Sequence, residues 1–117
     1  MVGESERQRR ARIAANESLY RTVNEKLEEL NRTLTSVAGD DSMIVVCECG
    51  DASCDKQIEL SVETYESVRS DSTLFVVVPG HEIPDVETVV RREDRFNVVC
   101  KDTEPDETIV KQTDPRR

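Results

Sequence analysis

Between residues 5 and 35 the chain has no glycine or proline, and strong helix formers dominate. Asn16, Tyr20, Val23, Leu27, Leu30, Leu34 and Val37 recur at alternating spacings of four and three, the seam of a heptad pattern. The spacing predicts one helix of roughly 30 residues, about 45 Å long at 1.5 Å per residue. The seam is apolar only from Tyr20 onward, so the second half is expected to bury one face while residues 4–15 project or fray. Residues 38–41 read as a break. The β-branched run 43–49 predicts a strand, 50–55 a turn, and the short alternating run 57–60 the returning strand of a hairpin. Ser61 suits the cap of a short helix over 62–69, with Glu63 in its first turn and Arg69 in its last, both favourable with the helix dipole. The continuous apolar run 74–78 predicts a central buried strand, stopped by Pro79-Gly80. Pro84 then suits the start of a second short helix over 85–91, with Val86, Val89 and Val90 inward, and 96–101 is a last strand. From Asp102 the chain is rich in Thr, Asp, Glu and Pro and is expected to be disordered.

The expectation is therefore an α+β fold. A long N-terminal helix packs at one end on a small, four-stranded, mostly antiparallel sheet with two short helices, and the whole is zinc-stabilised. Residues 20–102 form the single domain, 1–19 an exposed helical, basic N-terminal extension, and 103–117 a disordered acidic tail.

Composition narrows the function. The 117 residues carry a formal net charge of -9, with 36% hydrophobic residues, no Trp and four aromatics: Tyr20, Tyr65, Phe75 and Phe96. No apolar run approaches the roughly 20 residues that span a bilayer, and the start of the chain is polar, so neither a membrane span nor a secretory signal is expected. The acidity lies in the body. Residues 1–34 hold seven basic and six acidic groups, the remainder nine basic and nineteen acidic. Arg7, Arg9, Arg10 and Arg12 form a small basic cluster, but no aromatic residue interleaves them. A solvated helix face fits this better than a nucleic-acid surface, and nucleic acid is not the expected partner. A helix longer than the domain is wide points to a protein partner or self-association through Tyr20, Val23, Leu27, Leu30 and Leu34. The alternative is that this stripe packs on the sheet below.

The most pointed chemistry is Cys47-x-Cys49-x4-Cys54. Residues two apart in a strand face the same side, so Cys47 and Cys49 can present sulfurs to one point while Glu48 faces away. The turn after Cys49 lets Cys54 fold back toward them. Three thiolates lack one donor for a tetrahedral zinc site, and imidazole is the usual companion. The single histidine, His81, follows the predicted buried strand in a Pro79-Gly80-His81 turn. A Cys3His set leaves no position for water, so such a site would be structural. Asp51 or Asp55 could replace His81 as an oxygen donor. A thiol redox or metal-responsive switch, pairing Cys47 or Cys49 with Cys54, is the second reading. Cys100, within Val98-Val99-Cys100, is expected in the core.

Nothing in the sequence builds an enzyme. There is no Ser/His/Asp elbow or phosphate-binding glycine loop, no carboxylate pair in an apolar setting, and His81-Glu82 precedes no Cys-x-x-Cys. The expected function is a non-enzymatic zinc-binding interaction or regulatory module.

The segments Val23-Asn24-Glu25-Lys26-Leu27-Glu28-Glu29-Leu30-Asn31, Cys47-Glu48-Cys49-Gly50-Asp51, Tyr65-Glu66-Ser67-Val68-Arg69 and Phe75-Val76-Val77-Val78-Pro79-Gly80-His81-Glu82 carry a resemblance. With Cys54 and Ile58-Glu59-Leu60, they resemble an uncharacterised family of small actinobacterial proteins, over roughly residues 20–101. The resemblance implies that Cys47, Cys49, Cys54 and His81 act as one set and that the protein is cytoplasmic. It implies no activity.

Overall fold

The computed structural model describes residues 4–38, 42–101 and 106–116, with the backbone alone for 32–38. The expected side-chain roles of Leu34 and Val37, the break at 39–41 and the start of the tail at 102–105 lie outside the described residues. The chain is α+β. Helix α1 spans Glu6–Ala38, followed by β1 (Ser42–Val46), β2 (Gln57–Ser61), α2 (Val62–Arg69), β3 (Leu74–Val77), β4 (Thr88–Arg92), β5 (Asn97–Cys100) and α3 (Asp106–Gln112). At 33 residues α1 is about 50 Å long, close to the longest dimension of the molecule, 54 Å against 28 and 25 Å.

The strands form two antiparallel sheets, where the sequence pattern predicts one of four strands. β1 pairs with β2, and β3, β5 and β4 follow in that order. The strand predicted as central, β3, is an outer strand of its sheet, and β5 holds the middle. β3 is nonetheless buried at Phe75, Val76 and Val77 because the Cys47–Cys49 segment covers its other edge. The helix predicted over 85–91 is instead a turn, with the N–H groups of Val86 and Glu87 donating to Ile83 O, followed by β4. Val89 and Val90 satisfy a strand as well as a helix, and pairing with β5 decides in favour of the strand, while Val86 is buried in the turn before it. α2 matches its prediction: the Ser61 hydroxyl accepts from Thr64 N at 3.0 Å, with Glu63 in the first turn and Arg69 in the last.

The face of α1 differs most from expectation. Among its described side chains the buried ones are Ile13, Ala14, Glu17, Ser18, Arg21, Asn24 and Glu28. Of the apolar stripe, Val23 is 39% exposed and Leu30 63% exposed, with neighbouring Leu19 at 61%. The reason is electrostatic. The elements packed on α1, among them α2, α3 and the chain just before β3 and after β5, present carbonyls, an ammonium and a guanidinium to it, and polar side chains answer them. Arg21 donates to the carbonyls of Ser72 and Val110 and lies 4.6 Å over the Phe75 ring. Arg69, fully buried, is held by Glu25 and Asp114 at 2.6 Å each.

The same polar contacts correct both ends of the expected domain. The segment predicted to project, within 1–19, is seated: Arg9 pairs with Asp85 at 2.8 Å, Arg10 with buried Asp106 at 3.0 Å, and Ile13 and Ala14 are in the interior. Within 103–117, α3 buries Val110 against α1, and Thr113 donates to Ser18 at 2.7 Å. The segment has the composition of a tail because two apolar residues, Ile109 and Val110, and several hydrogen bonds hold it down rather than a broad apolar face.

Asp114 supplies a test. Burial alone pushes its carboxyl up, but hydrogen bonds from Arg69, Ser72 and the Arg116 N–H outweigh that and hold it well below the usual carboxylate range. A depressed carboxyl contributes stability that is present above its unfolded value, near pH 4, and is lost as pH falls through the folded value. Asp114→Ala leaves the buried Arg69 short of a partner and should cost about 3 kcal/mol in urea unfolding at neutral pH. The difference from wild type should shrink below about pH 4.

Candidate metal centre

The hairpin ladder of β1 and β2 runs one step past β1, with Cys47 N donating to Lys56 O at 2.9 Å. At the next residue the chain changes partner: Glu48 N donates to Val76 O of β3 at 2.8 Å. Successive N–H groups thus turn to neighbours on opposite sides, as they do along a strand, and the side chains alternate with them. Cys47 and Cys49 point to one side and Glu48 to the other. Glu48 is fully buried, and its carboxylate accepts from Val76 N at 3.0 Å, Tyr65 Oη at 2.7 Å and Asn24 Nδ2 at 2.8 Å. Burial pushes this carboxyl up, and the three donors oppose it. Asn24 meanwhile takes both polar groups of Val46, accepting from its N–H and donating to its carbonyl at 2.8 Å each. Two side chains thus stand in for strand neighbours where the two sheets meet.

Past Cys49 the chain turns sharply. Gly50 is required by close approach: a Cβ there would lie 2.4 Å from Ile13 Cγ2 on α1. Asn16 and Tyr20 hold this loop from the helix, donating to the carbonyls of Gly50 and of Asp51 and Ala52. Asp51 Oδ1 accepts from Ser53 N and Oγ, and Cys54 N donates to Asp51 O, which brings Cys54 back toward its fellows. The fourth member arrives from β3. Gly80 adopts φ +94°, a conformation that favours glycine, and His81 N donates to Val78 O at 2.9 Å.

The outcome is a group of Cys47, Cys49, Cys54 and His81 whose ligand atoms all lie within 4.8 Å of one another, an arrangement that could hold a metal ion. His81 Nδ1 is 3.7 Å from Cys47 Sγ and 3.5 Å from Cys54 Sγ. Cys47 and Cys49 are buried, and Cys54 and His81 half-buried. Val78 N donates to Cys47 Sγ at 3.2 Å. Cys49 is pulled down to about 5, first by the hydrogen bond from the Cys47 thiol. The same contact, reinforced by burial, pushes Cys47 up. A cleft of about 320 Å³ borders the group on one side, lined by Cys49, Asp51, Gly80, His81, Glu82 and Ile83.

The two oxygen alternatives stay out of the group. Asp51 spends Oδ1 on the turn, and Asp55 is exposed. Cys100 is also apart, beside Thr73 Oγ1 at 3.5 Å. Of the basic cluster, Arg9, Arg10 and Arg12 each pair with a carboxylate of this chain. Asn24, Glu48 and Tyr65, which set the position of the cysteines, escape a reading of sequence. The only hint is a charged residue at the centre of an apolar strand run. No helix among the described residues is long and apolar enough to cross a membrane. No protein-family model matches the chain, and neither the curated proteins nor the solved structures give a significant match.

Tyr65→Phe tests the support beneath the cysteines. It removes one donor to a buried carboxylate while keeping the ring, and should cost about 1–3 kcal/mol in chemical denaturation. A loss near zero would show that Glu48 does not depend on Tyr65.

Proposed function

We propose that the protein is a non-enzymatic zinc-binding interaction or regulatory module, with zinc held by Cys47, Cys49, Cys54 and His81. The carrying observation is the convergence of these four donors from the hairpin and the loop after β3. Bond lengths of about 2.3 Å to sulfur and about 2.0 Å to nitrogen give a tetrahedron with S–N edges of about 3.5 Å. The separations of 3.5 and 3.7 Å from His81 Nδ1 to Cys54 and Cys47 Sγ are close to that edge. Thiolate with imidazole is a donor set that suits zinc. Three sulfurs and one nitrogen fill its four positions and leave none for water or substrate, which supports a structural rather than catalytic role. Zinc would tie the two sheets together in a small domain poor in aromatic residues, as structural metals commonly do. Thiol ligands of this kind suit a reducing compartment, and the cytoplasm is the proposed location.

The partner surface in this reading is the outward stripe of α1, where Val23 and Leu30 remain exposed. A second reading, a redox or metal-responsive switch, draws on the half-exposed Cys54 and His81 and on the cleft beside them, which leave the donors within reach of solvent.

Protein purified untagged under reducing conditions should carry about one zinc per chain by elemental analysis. Cys49→Ser should lose most of that metal and unfold at lower temperature, while Cys100→Ala should keep it. Equal zinc in wild type and Cys49→Ser would end the proposal. Zinc that leaves reversibly as a disulfide forms under mild peroxide would favour the switch. For the surface, Leu30→Glu should leave the fold intact, since the side chain is exposed, and should lower the sedimenting mass if the chain pairs with itself.

A further inference from the structure

Away from the cysteines lies a second buried cluster of charge. Glu17 comes from α1, Glu87 from the turn before β4, and Lys101 directly follows β5. Their side chains are at most 1% exposed, and Lys101 Nζ lies 2.8 Å from Glu17 Oε1 and 3.3 Å from Glu87 Oε1. Two carboxylates against one ammonium leave an uncompensated negative charge in a buried site, which burial penalises heavily. The fully ionised cluster is also poorly paired. Both oxygens of Glu17, Glu87 Oε1 and Lys101 Nζ make no directed hydrogen bond, whereas Glu87 Oε2 accepts from Ile83 N at 2.9 Å. One proton on Glu17 neutralises the cluster and supplies a donor for an oxygen that otherwise has none. Other charges on this face of α1 are committed elsewhere, Arg10 to Asp106 and Arg21 to the carbonyls of Ser72 and Val110. Burial and then the Glu87 charge push Glu17 well above the ordinary carboxyl range, with Lys101 opposing.

We propose that buried Glu17 keeps its proton in the folded protein, facing Glu87 beside Lys101, so that seating α1 against the end of β5 takes up a proton and loosens when that proton is lost. The sign follows from linkage. A carboxyl raised in the folded state contributes stability that is full below its unfolded value and is lost as pH rises through the folded value. The helix is thereby coupled to pH at a site that shares no residue with the candidate metal centre.

The test compares the full chain with Glu17→Gln, which keeps the shape, supplies an amide donor and cannot titrate. The four metal donors are common to both, so their pH dependence cancels in the ratio. Above about pH 5 the wild-type folding constant should fall relative to that of the variant by up to tenfold per pH unit, until the folded carboxyl has ionised. If Glu17→Gln does not fold, infrared spectra of wild type and Glu87→Gln decide. Wild type should show a carboxylic-acid carbonyl band at neutral pH that Glu87→Gln abolishes. Parallel stability profiles, no such band in wild type, or a band that Glu87→Gln leaves unchanged would overturn the proposal.

Discussion

Much of this fold rests on one buried carboxylate. Glu48 sits where the hairpin of β1 and β2 meets β3, between Cys47 and Cys49, with no solvent contact. Burying a carboxyl is costly unless donors surround it, and here Val76, Tyr65 and Asn24 supply three. Those donors come from β3, α2 and α1, so satisfying one side chain draws three elements to a single point. The main chain of Glu48 adds a hydrogen bond to Val76 O, so backbone and side chain together cover the edge of β3. With the backbone so held, the flanking cysteines have no choice of direction. The positions of two sulfurs follow from the burial of a residue that bears none.

The same principle recurs through the interior. With only four aromatic residues in the chain, apolar packing is supplemented by buried polar side chains, each bound to a group far away in sequence. Arg21 reaches Val110 across 89 residues, Asn24 reaches Glu48, and Arg69 bridges α1 to Asp114. Such contacts are specific in geometry because an unpaired partner in the interior is expensive. They explain how a 33-residue helix can dock through a face of Glu, Arg and Asn while leaving leucines in water. They also explain why the C-terminal segment is ordered over α3 with little apolar surface of its own.

What is legible in the sequence is the local physics. The long helix follows from a run without glycine or proline. The cap at Ser61 follows from its hydroxyl, and the shared side of Cys47 and Cys49 from strand alternation. Counting donors around three thiols points to His81, and the positive-φ turn at Gly80 delivers it. Reading failed wherever partners are distant. The heptad seam marks where apolar residues lie on α1, but not which face the sheets demand. The valines at 86, 89 and 90 have helical spacing, but Val89 and Val90 are β-branched, and pairing with β5 overrides the spacing to make a strand.

The chain by itself thus determined the α+β class, the helix, the hairpin and the four residues able to meet around a metal, because spacing along a backbone of fixed geometry dictates which side chains share a face. Tertiary structure alone decided the division into two sheets, the polar seat of α1, the docking of α3 and the placing of Glu48 and Glu17 in the interior. The cause is that a charged side chain is buried only when its partners arrive from elsewhere, and nothing in the local pattern records their arrival.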